Sequence, residues 1–211
     1  GSSALFGLWV NNQENQMLLE LPRGWDRKKF FIAVTPSAGV IFSGLQGNES
    51  YIYLRKYDDR IAFISPEISV RSTGTKTSKD SVDKIFTDTV LVDVPIIANG
   101  PNGQPVIDLD SLLVSNASKI AGSVGRGANS RLTTIKTAKS FPKNLEVALE
   151  MPTSGGNLKQ IHYSISEVPE RGSYKPRKAD ERVGYFTTDF RDLGQPHEED
   201  KWIHYVNRWD L

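Results

Sequence analysis

The sequence predicts a mainly β protein, with an α+β fold as the alternative. Its apolar residues fall in short runs of strand length, and clusters of glycine, proline, asparagine and aspartate separate these runs. Helical spacing of apolar residues occurs in only two short stretches. No repeat of fixed period is present, which argues against solenoids and propellers. We therefore expect antiparallel sheets in a sandwich- or barrel-like arrangement with one or two short helices.

The N-terminal third of the chain predicts a series of short strands. The apolar runs of strand length are residues 5–10, 17–21, 30–34 and 40–42. Residues 51–54 and 61–64 form two further apolar runs, and Asp58 and Asp59 between them suit a tight turn. This pair of strands is the clearest hairpin that the sequence predicts.

The first helical pattern follows a polar segment. Residues 71–80 are rich in serine, threonine, lysine and glycine, and they predict an exposed loop. Within residues 81–87, Val82, Ile85 and Phe86 have the spacing that places all three on one face of a short helix.

The second helical pattern lies near the middle of the chain. Residues 90–97 return to strand character, and residues 99–103 contain the asparagine, glycine and proline of a turn. After a short apolar run, Asp108 and Asp110 are candidate caps of a second helix. The apolar residues of this helix are Leu109, Leu112 and Leu113.

Residues 117–129 are rich in glycine, serine and alanine, which is the composition of a mobile linker. A long loop within one domain explains this composition equally well, and we interpret the chain as a single β-rich domain over residues 1–211. The alternative is an N-terminal β unit over residues 1–116 and a C-terminal β unit over residues 130–211. Beyond the segment, strands are predicted at residues 132–139, 145–151, 158–168, 183–190 and 202–209, with a hairpin turn at residues 153–157.

The block over residues 174–186 joins two segments with opposite physical demands. Its second part holds Val183, Tyr185 and Phe186, which favour burial and predict a buried strand that begins near Val183. Its first part is charged and must stay hydrated or be paired. We interpret four of its residues as candidates for an interdomain contact, with a hydrated loop as the alternative: Arg177, Lys178, Asp180 and Arg182.

This block and three earlier segments carry a family resemblance. The earlier segments are Leu-Leu-Glu-Leu-Pro at residues 18–22, Pro-Val-Ile-Asp-Leu at residues 105–109 and Phe-Pro-Lys-Asn-Leu-Glu-Val at residues 141–147. In the same order, they resemble landmarks of a domain of unknown function in a bacterial family of large zinc-dependent metallopeptidases. In that family the domain precedes a metzincin-like catalytic domain. The resemblance covers nearly the whole chain, and it implies that a zinc-containing catalytic domain follows Leu211.

The catalytic motif of that family is absent from this chain. The motif is H-E-x-x-H, in which two histidines bind zinc and the glutamate acts as the base. The three histidines here are His162, His197 and His204, and none has a second histidine at that spacing. Strand alternation predicts His162 on a polar strand face, as an ordinary surface or cross-strand residue. We assign no catalytic, cofactor-binding or metal-binding residue to this chain, which alone is expected not to be an enzyme.

The composition excludes several classes of partner. The 211 residues include 26 basic and 25 acidic ones, so a net charge of +1 gives no overall field that would attract nucleic acid or anionic lipid. The absence of cysteine excludes disulfides and thiolate metal ligands. No apolar run reaches the roughly 20 residues of a membrane span. The resemblance implies a periplasmic or secreted protein, with a signal peptide removed before Gly1.

These observations predict the non-catalytic N-terminal domain of a zinc-dependent metallopeptidase. Its expected work is to pack against, position or restrain its own C-terminal peptidase domain, with protein substrate as a further candidate partner. The alternative is a stand-alone β-rich module that binds glycan or protein ligands. The tryptophans are candidate stacking residues for such a module, with core burial as the competing interpretation: Trp9, Trp25, Trp202 and Trp209.

Overall fold

The computed structural model describes residues 3–170, 175–180, 182 and 186–207. Backbone contacts divide the chain into two compact units, each assembled from two separate stretches of sequence. The first unit comprises Gly1–Ser65 and Val90–Val168, and the second comprises Pro66–Thr89 and Pro169–Leu211. The choice between one domain and two that divide at residues 117–129 stays a prediction.

Strands dominate the described residues, which confirms the predicted mainly β class. The strands are β1 Gly7–Asn11, β2 Gln16–Glu20, β3 Lys29–Ala38, β4 Glu49–Tyr57, β5 Arg60–Ser65, β6 Val70–Arg71, β7 Thr89–Asn99, β8 Pro105–Asp108, β9 Thr134–Ser140, β10 Asn144–Pro152, β11 Leu158–Glu167, β12 Thr187–Asp192 and β13 Trp202–Val206. The α-helices are α1 Lys76–Ile85 and α2 Ala117–Ile120, and a π-helical turn spans Ser111–Ser115. Short 3-10 turns are present at Trp25–Arg27, Ser130–Leu132 and Glu198–Asp200.

The first unit is an antiparallel sheet that curls into a nearly closed barrel. The order of its ten strands is β1-β2-β8-β7-β5-β4-β3-β11-β10-β9, so β1 and β9 are the two edges. At one end of the seam between these edges, the Leu5 N–H donates to the Phe141 carbonyl at 2.8 Å. At the other end, the Ile135 N–H donates to Asn15 Oδ1 at 2.9 Å. The predicted barrel-like arrangement is therefore confirmed.

Alternation of side chains fills the interior of this barrel. In β10, every second residue is fully buried, namely Leu145, Val147, Leu149 and Met151, and the residues between them are partly exposed. The neighbouring strands β11 and β3 repeat the pattern, with Tyr163 and Phe30 among their largest buried side chains. The core of the first unit thus consists of the inward-pointing side chains of these strands, which pack against one another inside the curved sheet.

Both predicted hairpins are confirmed. β4 pairs with β5 up to Tyr57 and Arg60, and Asp58 takes the left-handed backbone conformation that a two-residue turn requires. β10 pairs with β11 up to Pro152 and Leu158 across the turn at residues 153–157. In each case the residues of the turn, rather than the strands alone, fix where the chain reverses.

The predicted second helix exists in an altered form. Asp108 Oδ1 accepts hydrogen bonds from the backbone N–H groups of Asp110 and Ser111 at 3.0 and 3.1 Å, so Asp108 caps the segment as expected. The chain then forms the π-helical turn and α2, and it buries Leu109, Leu112 and Leu113 completely. The same segment continues into residues 117–129, of which Ala117, Ile120 and Ala121 are buried in the core.

The second unit contains α1 and a small sheet. The strand order is β13-β12-β6, in which β12 pairs antiparallel with β13 and parallel with β6. The predicted helix begins earlier than expected, at Lys76, because Thr75 Oγ1 accepts from the Ser78 N–H and caps it. Residues 76–80 are therefore helical, and the prediction of a loop is wrong there. Val82 is buried as expected, whereas Ile85 is exposed.

Two predicted strand segments differ from the structure. Residues 40–42 lie in an exposed connection after β3, and Ile41 is 95% exposed. Phe186 was expected in a buried strand, but it precedes β12 and is 68% exposed. Burial of Phe186 would require a second layer of apolar side chains that packs over the face of the sheet from which it projects. Val183 and Tyr185, the other residues of that prediction, lie outside the described residues.

Candidate functional site

The four charged candidates lie beside the edge strand β13. The Val206 N–H donates to the Arg177 carbonyl at 2.9 Å, and the Ala179 N–H donates to the His204 carbonyl at 2.8 Å. Lys178 forms an antiparallel bridge with Tyr205. The backbone of the charged segment is therefore held to the sheet, while the side chains of Arg177, Lys178, Asp180 and Arg182 are exposed.

Two of these four residues are brought together. Arg182 donates from Nε and Nη2 to the two carboxylate oxygens of Asp180, at 3.2 and 3.3 Å. The Arg182 N–H also donates to Asp180 Oδ1 at 2.9 Å. This forked pair is largely hydrated, because the Arg182 side chain is 86% exposed, and such pairs add little to stability. The arrangement leaves the charged side chains accessible to a partner.

The histidines lie beside carboxylates. His162 on β11 contacts Glu146 on β10, which confirms the cross-strand interpretation. His204 Nδ1 lies 2.8 Å from Asp189 Oδ1, and this hydrogen bond, with one from Thr187, lowers the pKa of Asp189 below its ordinary value. His197 precedes the Glu198–Asp200 turn. Within the described ranges, no three histidine, aspartate or glutamate side chains group as a metal site requires.

A buried carboxylate organises the second unit. Asp192, at the end of β12, has no solvent exposure and accepts hydrogen bonds from the Thr73 N–H at 2.9 Å and the Thr73 hydroxyl at 2.6 Å. The Gly194 N–H also donates to it at 2.9 Å. Burial opposes its ionisation, but these donors outweigh burial and lower the pKa of Asp192 to about 2. Asp192 thus joins the connection before α1 to the end of β12, which is a structural role.

A groove opens at the barrel seam between β1 and β9. Its volume is about 620 Å³. The apolar side of the groove comes from Phe6, Trp9 and Phe141, and the polar side from Glu20, Asn102 and Lys139. Trp9 is 42% exposed, so its ring is accessible in the groove. An accessible aromatic ring beside a few polar groups is the arrangement that binds sugars and other small ligands.

Glu20 lies at the floor of this groove and is 2% exposed. Its two carboxylate oxygens accept from the backbone N–H and the side-chain amide of Asn102, both at 3.0 Å. Glycines at two neighbouring positions leave room for it, because a Cβ on Gly100 would lie 2.3 Å from Glu20 Cδ and one on Gly7 would lie 2.9 Å from Glu20 Oε2. Glu20 therefore closes the turn between β7 and β8.

The roles of Glu20 and Asp192 do not follow from the sequence patterns described above. Two features of the sequence point to Glu20. It is an acidic residue among the apolar residues of a predicted strand, and an Asn-Gly turn occurs about eighty residues further along the chain. Only the pairing of β2 with β8 brings these two features together. Among the candidate stacking residues, Trp25 is buried, Trp9 and Trp202 are exposed, and Trp209 lies outside the described residues.

Comparisons with known proteins complete the description. No curated protein and no solved structure matches this chain. Among the described residues, none of the helices has the length and apolar character needed to cross a membrane. The model of one family, a domain of unknown function designated DUF5117, matches residues 44–211. Because this match covers most of the sequence, the chain belongs to the DUF5117 family.

Proposed function

We propose that the chain is the non-catalytic N-terminal domain of a zinc-dependent metallopeptidase, which packs against, positions or restrains the catalytic domain. The zinc would belong to that catalytic domain, expected after Leu211, and the protein would be periplasmic or secreted. Support comes from the four resembling segments of the sequence. Protein substrate is a further candidate partner.

One observation carries the interdomain contact. The backbone of residues 177–179 is hydrogen-bonded to β13, yet the side chains of Arg177 and Lys178 extend into solvent. The backbone of this charged segment is already ordered, so binding a partner costs it little further conformational entropy. More of the free energy of each contact is then available as binding affinity. Arginine can also form bidentate hydrogen bonds with carboxylates on a facing domain.

The first test is the coding sequence beyond Leu211, which should contain H-E-x-x-H. The second test compares Arg177→Ala in this chain and in the full-length enzyme. In this chain alone the change should cost less than about 1 kcal/mol, because it removes only a hydrated charge. In the full-length enzyme it should cost about 1.5 to 3 kcal/mol of domain association, which limited proteolysis and peptidase rates would detect.

Arg23→Ala is the matched control for this comparison, because Arg23 is also exposed but lies far along the chain from the charged segment. It should leave proteolysis and activity unchanged in both proteins. If Arg177→Ala also changes neither property in the full-length enzyme, the proposed contact is wrong. If it unfolds this chain, the residue is structural within it.

The second candidate function, a glycan-binding module, is favoured by the groove that contains Trp9. A bound ligand raises the melting temperature by mass action, so a glycan array followed by thermal shift tests it directly. Trp9→Ala should abolish the shift, because it removes the accessible ring. Trp202→Ala is the matched control, since Trp202 is similarly exposed but does not line the groove. A shift that survives Trp9→Ala would contradict this function.

A further inference from the structure

Three segments of the first unit interlock into one surface, which we define by residues 35–48, 117–133 and 151–159 and name the three-loop surface. The Asn48 side-chain amide donates to the Ile120 carbonyl at 2.7 Å, which joins the first segment to the second. The Ser154 N–H donates to the Arg126 carbonyl at 2.9 Å, which joins the second segment to the third. The surface is therefore continuous and has a defined backbone.

Large apolar side chains are exposed on this surface. They are Ile41, Phe42, Leu45, Leu132 and Leu158. Ile41 is 95% exposed and Phe42 is 70% exposed, which makes them the tip of the connection between β3 and β4. That connection is held by hydrogen bonds from the Gly44 and Gly47 N–H groups to the Pro36 and Val34 carbonyls, at 2.8 and 2.7 Å. A group of exposed apolar side chains on an ordered surface marks an interaction site.

The charges on the three-loop surface have one sign. Its forty residues include no aspartate or glutamate. The whole chain has 25 acidic residues in 211, and at that frequency about five would be expected among forty residues. They do include four basic residues, Lys119, Arg126, Arg131 and Lys159. The first three are exposed, and Lys159 Nζ donates to the Val124 carbonyl at 3.2 Å. One carboxylate borders the surface, because the exposed Glu49 accepts from the Gln46 side-chain amide at 2.9 Å, so positive charge predominates beside the apolar tip.

We propose that the three-loop surface binds the face of an anionic lipid bilayer. Ile41 and Phe42 enter the boundary between headgroups and acyl chains, and Lys119, Arg126 and Arg131 contact the lipid phosphates. This inference goes beyond the proposed function and does not depend on it.

Two features favour a bilayer over a protein partner. The apolar residues protrude at a tip, so a protein would need a matching apolar cavity, whereas a bilayer accepts a protruding tip anywhere on its surface. Basic residues also predominate on the surface, and anionic headgroups attract them, although the same headgroups would repel the bordering Glu49. A predominance of positive charge around an apolar tip is therefore complementary to an anionic membrane.

Vesicle flotation tests the proposal with the chain as it exists. The chain should float with vesicles of phosphatidylethanolamine and phosphatidylglycerol in equal amounts, and remain at the bottom with phosphatidylcholine vesicles. Ile41→Ser and Phe42→Ser should each weaken partitioning about tenfold, because each removes an apolar side chain that enters the lipid. Arg126→Gln should weaken it about fivefold, since one charge near the anionic surface is lost.

Ile85→Ser is the matched control, because Ile85 is 72% exposed on α1, which is not part of the three-loop surface. It should float like the unchanged chain, and all variants should keep the same melting temperature because the altered side chains are exposed. Absence of flotation with the anionic vesicles overturns the proposal. Flotation that Ile41→Ser and Phe42→Ser leave unchanged also overturns it, because adsorption would then depend on charge alone.

Discussion

Asp110 Oδ2 accepts a hydrogen bond from the backbone N–H of Met17 at 2.7 Å, and this bond joins the start of β2 to the turn that follows β8. Asp110 was predicted as a helix cap, but Asp108 performs that role through its contacts with Asp110 and Ser111. The carboxyl of Asp110 is instead partly buried against the barrel. Burial raises its pKa from 3.8 to about 6, and the hydrogen bond from Met17 only partly offsets this effect.

Asp110→Asn should stabilise the chain at neutral pH. Folded Asp110 keeps its proton up to about pH 6, while the unfolded residue loses it near pH 3.8, so the free energy of unfolding falls as pH rises through this interval. Asparagine keeps an oxygen for the Met17 N–H and carries no charge. We expect a gain of about 1 to 2 kcal/mol at pH 7, after allowance for the partial solvent access of this group.

Urea unfolding at pH 4 and at pH 7 measures this effect. The two proteins should differ little at pH 4 and most at pH 7. Asp83→Asn on α1 is the control, because Asp83 is exposed and its neutralisation should change stability little at either pH. A variant that is less stable than the unchanged chain at pH 7 would show that the charged form of Asp110 is needed.

Asp192→Asn should have the opposite effect. The lowered pKa of Asp192 means that its charged form stabilises the fold above about pH 4, and that this stabilisation is lost as pH falls toward 2. The Thr73 and Gly194 N–H groups both donate to Oδ1, so the amide nitrogen of asparagine would take the place of Oδ2 and oppose the donors there, the Thr73 hydroxyl and the Gln195 side-chain amide. We expect a loss of about 2 to 3 kcal/mol at pH 7, because hydrogen bonds to a charged acceptor are replaced and a buried donor is left unsatisfied.

Hydrogen exchange of the amides in α1 and β12 would localise this loss to the second unit. Asp200→Asn serves as the control, because Asp200 lies in an exposed turn of the same unit. Equal exchange rates in Asp192→Asn and in the unchanged chain would contradict the structural role of Asp192.

Local patterns explain what the sequence could predict. The hairpins of β4 with β5 and of β10 with β11 follow from alternating apolar residues and from turn residues a few positions apart. The cap at Asp108 likewise involves residues two and three positions away. These interactions are close in the sequence, so composition and spacing are sufficient to locate them.

The failed predictions depend on partners that are distant in the sequence. Residues 117–129 have the composition of a linker, but Ala117 and Ile120 complete a core whose other residues come from strands throughout the first unit. Phe186 was expected to be buried for its apolarity, although no local pattern shows whether a second layer covers it. The positive charge of the three-loop surface could not be predicted for the same reason. The net charge of +1 does not show how the basic and acidic residues are distributed over the folded chain.

Gly100→Ala should destabilise the barrel seam. The added methyl group would lie 2.3 Å from Glu20 Cδ, so Glu20 or the turn at residues 100–103 must move and the contacts with Asn102 must change. Overpacking of this kind costs about 1 to 3 kcal/mol. Gly47→Ala is the matched control, because its methyl group would meet the Val34 carbonyl at an ordinary 3.5 Å. Equal unfolding midpoints for the two variants would show that Glu20 has room to move.

Tyr163→Phe isolates a single hydrogen bond in the barrel core. The Tyr163 hydroxyl is fully buried and donates to the Leu113 carbonyl at 3.0 Å, which ties β11 to the π-helical turn over Ser111–Ser115. Phenylalanine keeps the ring but removes the donor, so we expect a loss of about 0.5 to 1.5 kcal/mol in urea unfolding. Tyr57→Phe, at an exposed position, should cost less than about 0.5 kcal/mol.

The pH dependence of the same variant gives an independent check on this bond. Burial raises the pKa of Tyr163 above its ordinary value of 10.0, so the folded chain keeps the hydroxyl proton that the unfolded chain releases. Stability should therefore fall as pH rises above about 10, and the fall should be smaller in Tyr163→Phe than in Tyr57→Phe. Identical alkaline profiles for these two variants would mean that Tyr163 reaches solvent before the chain unfolds, and that its bond to Leu113 opens independently of the barrel.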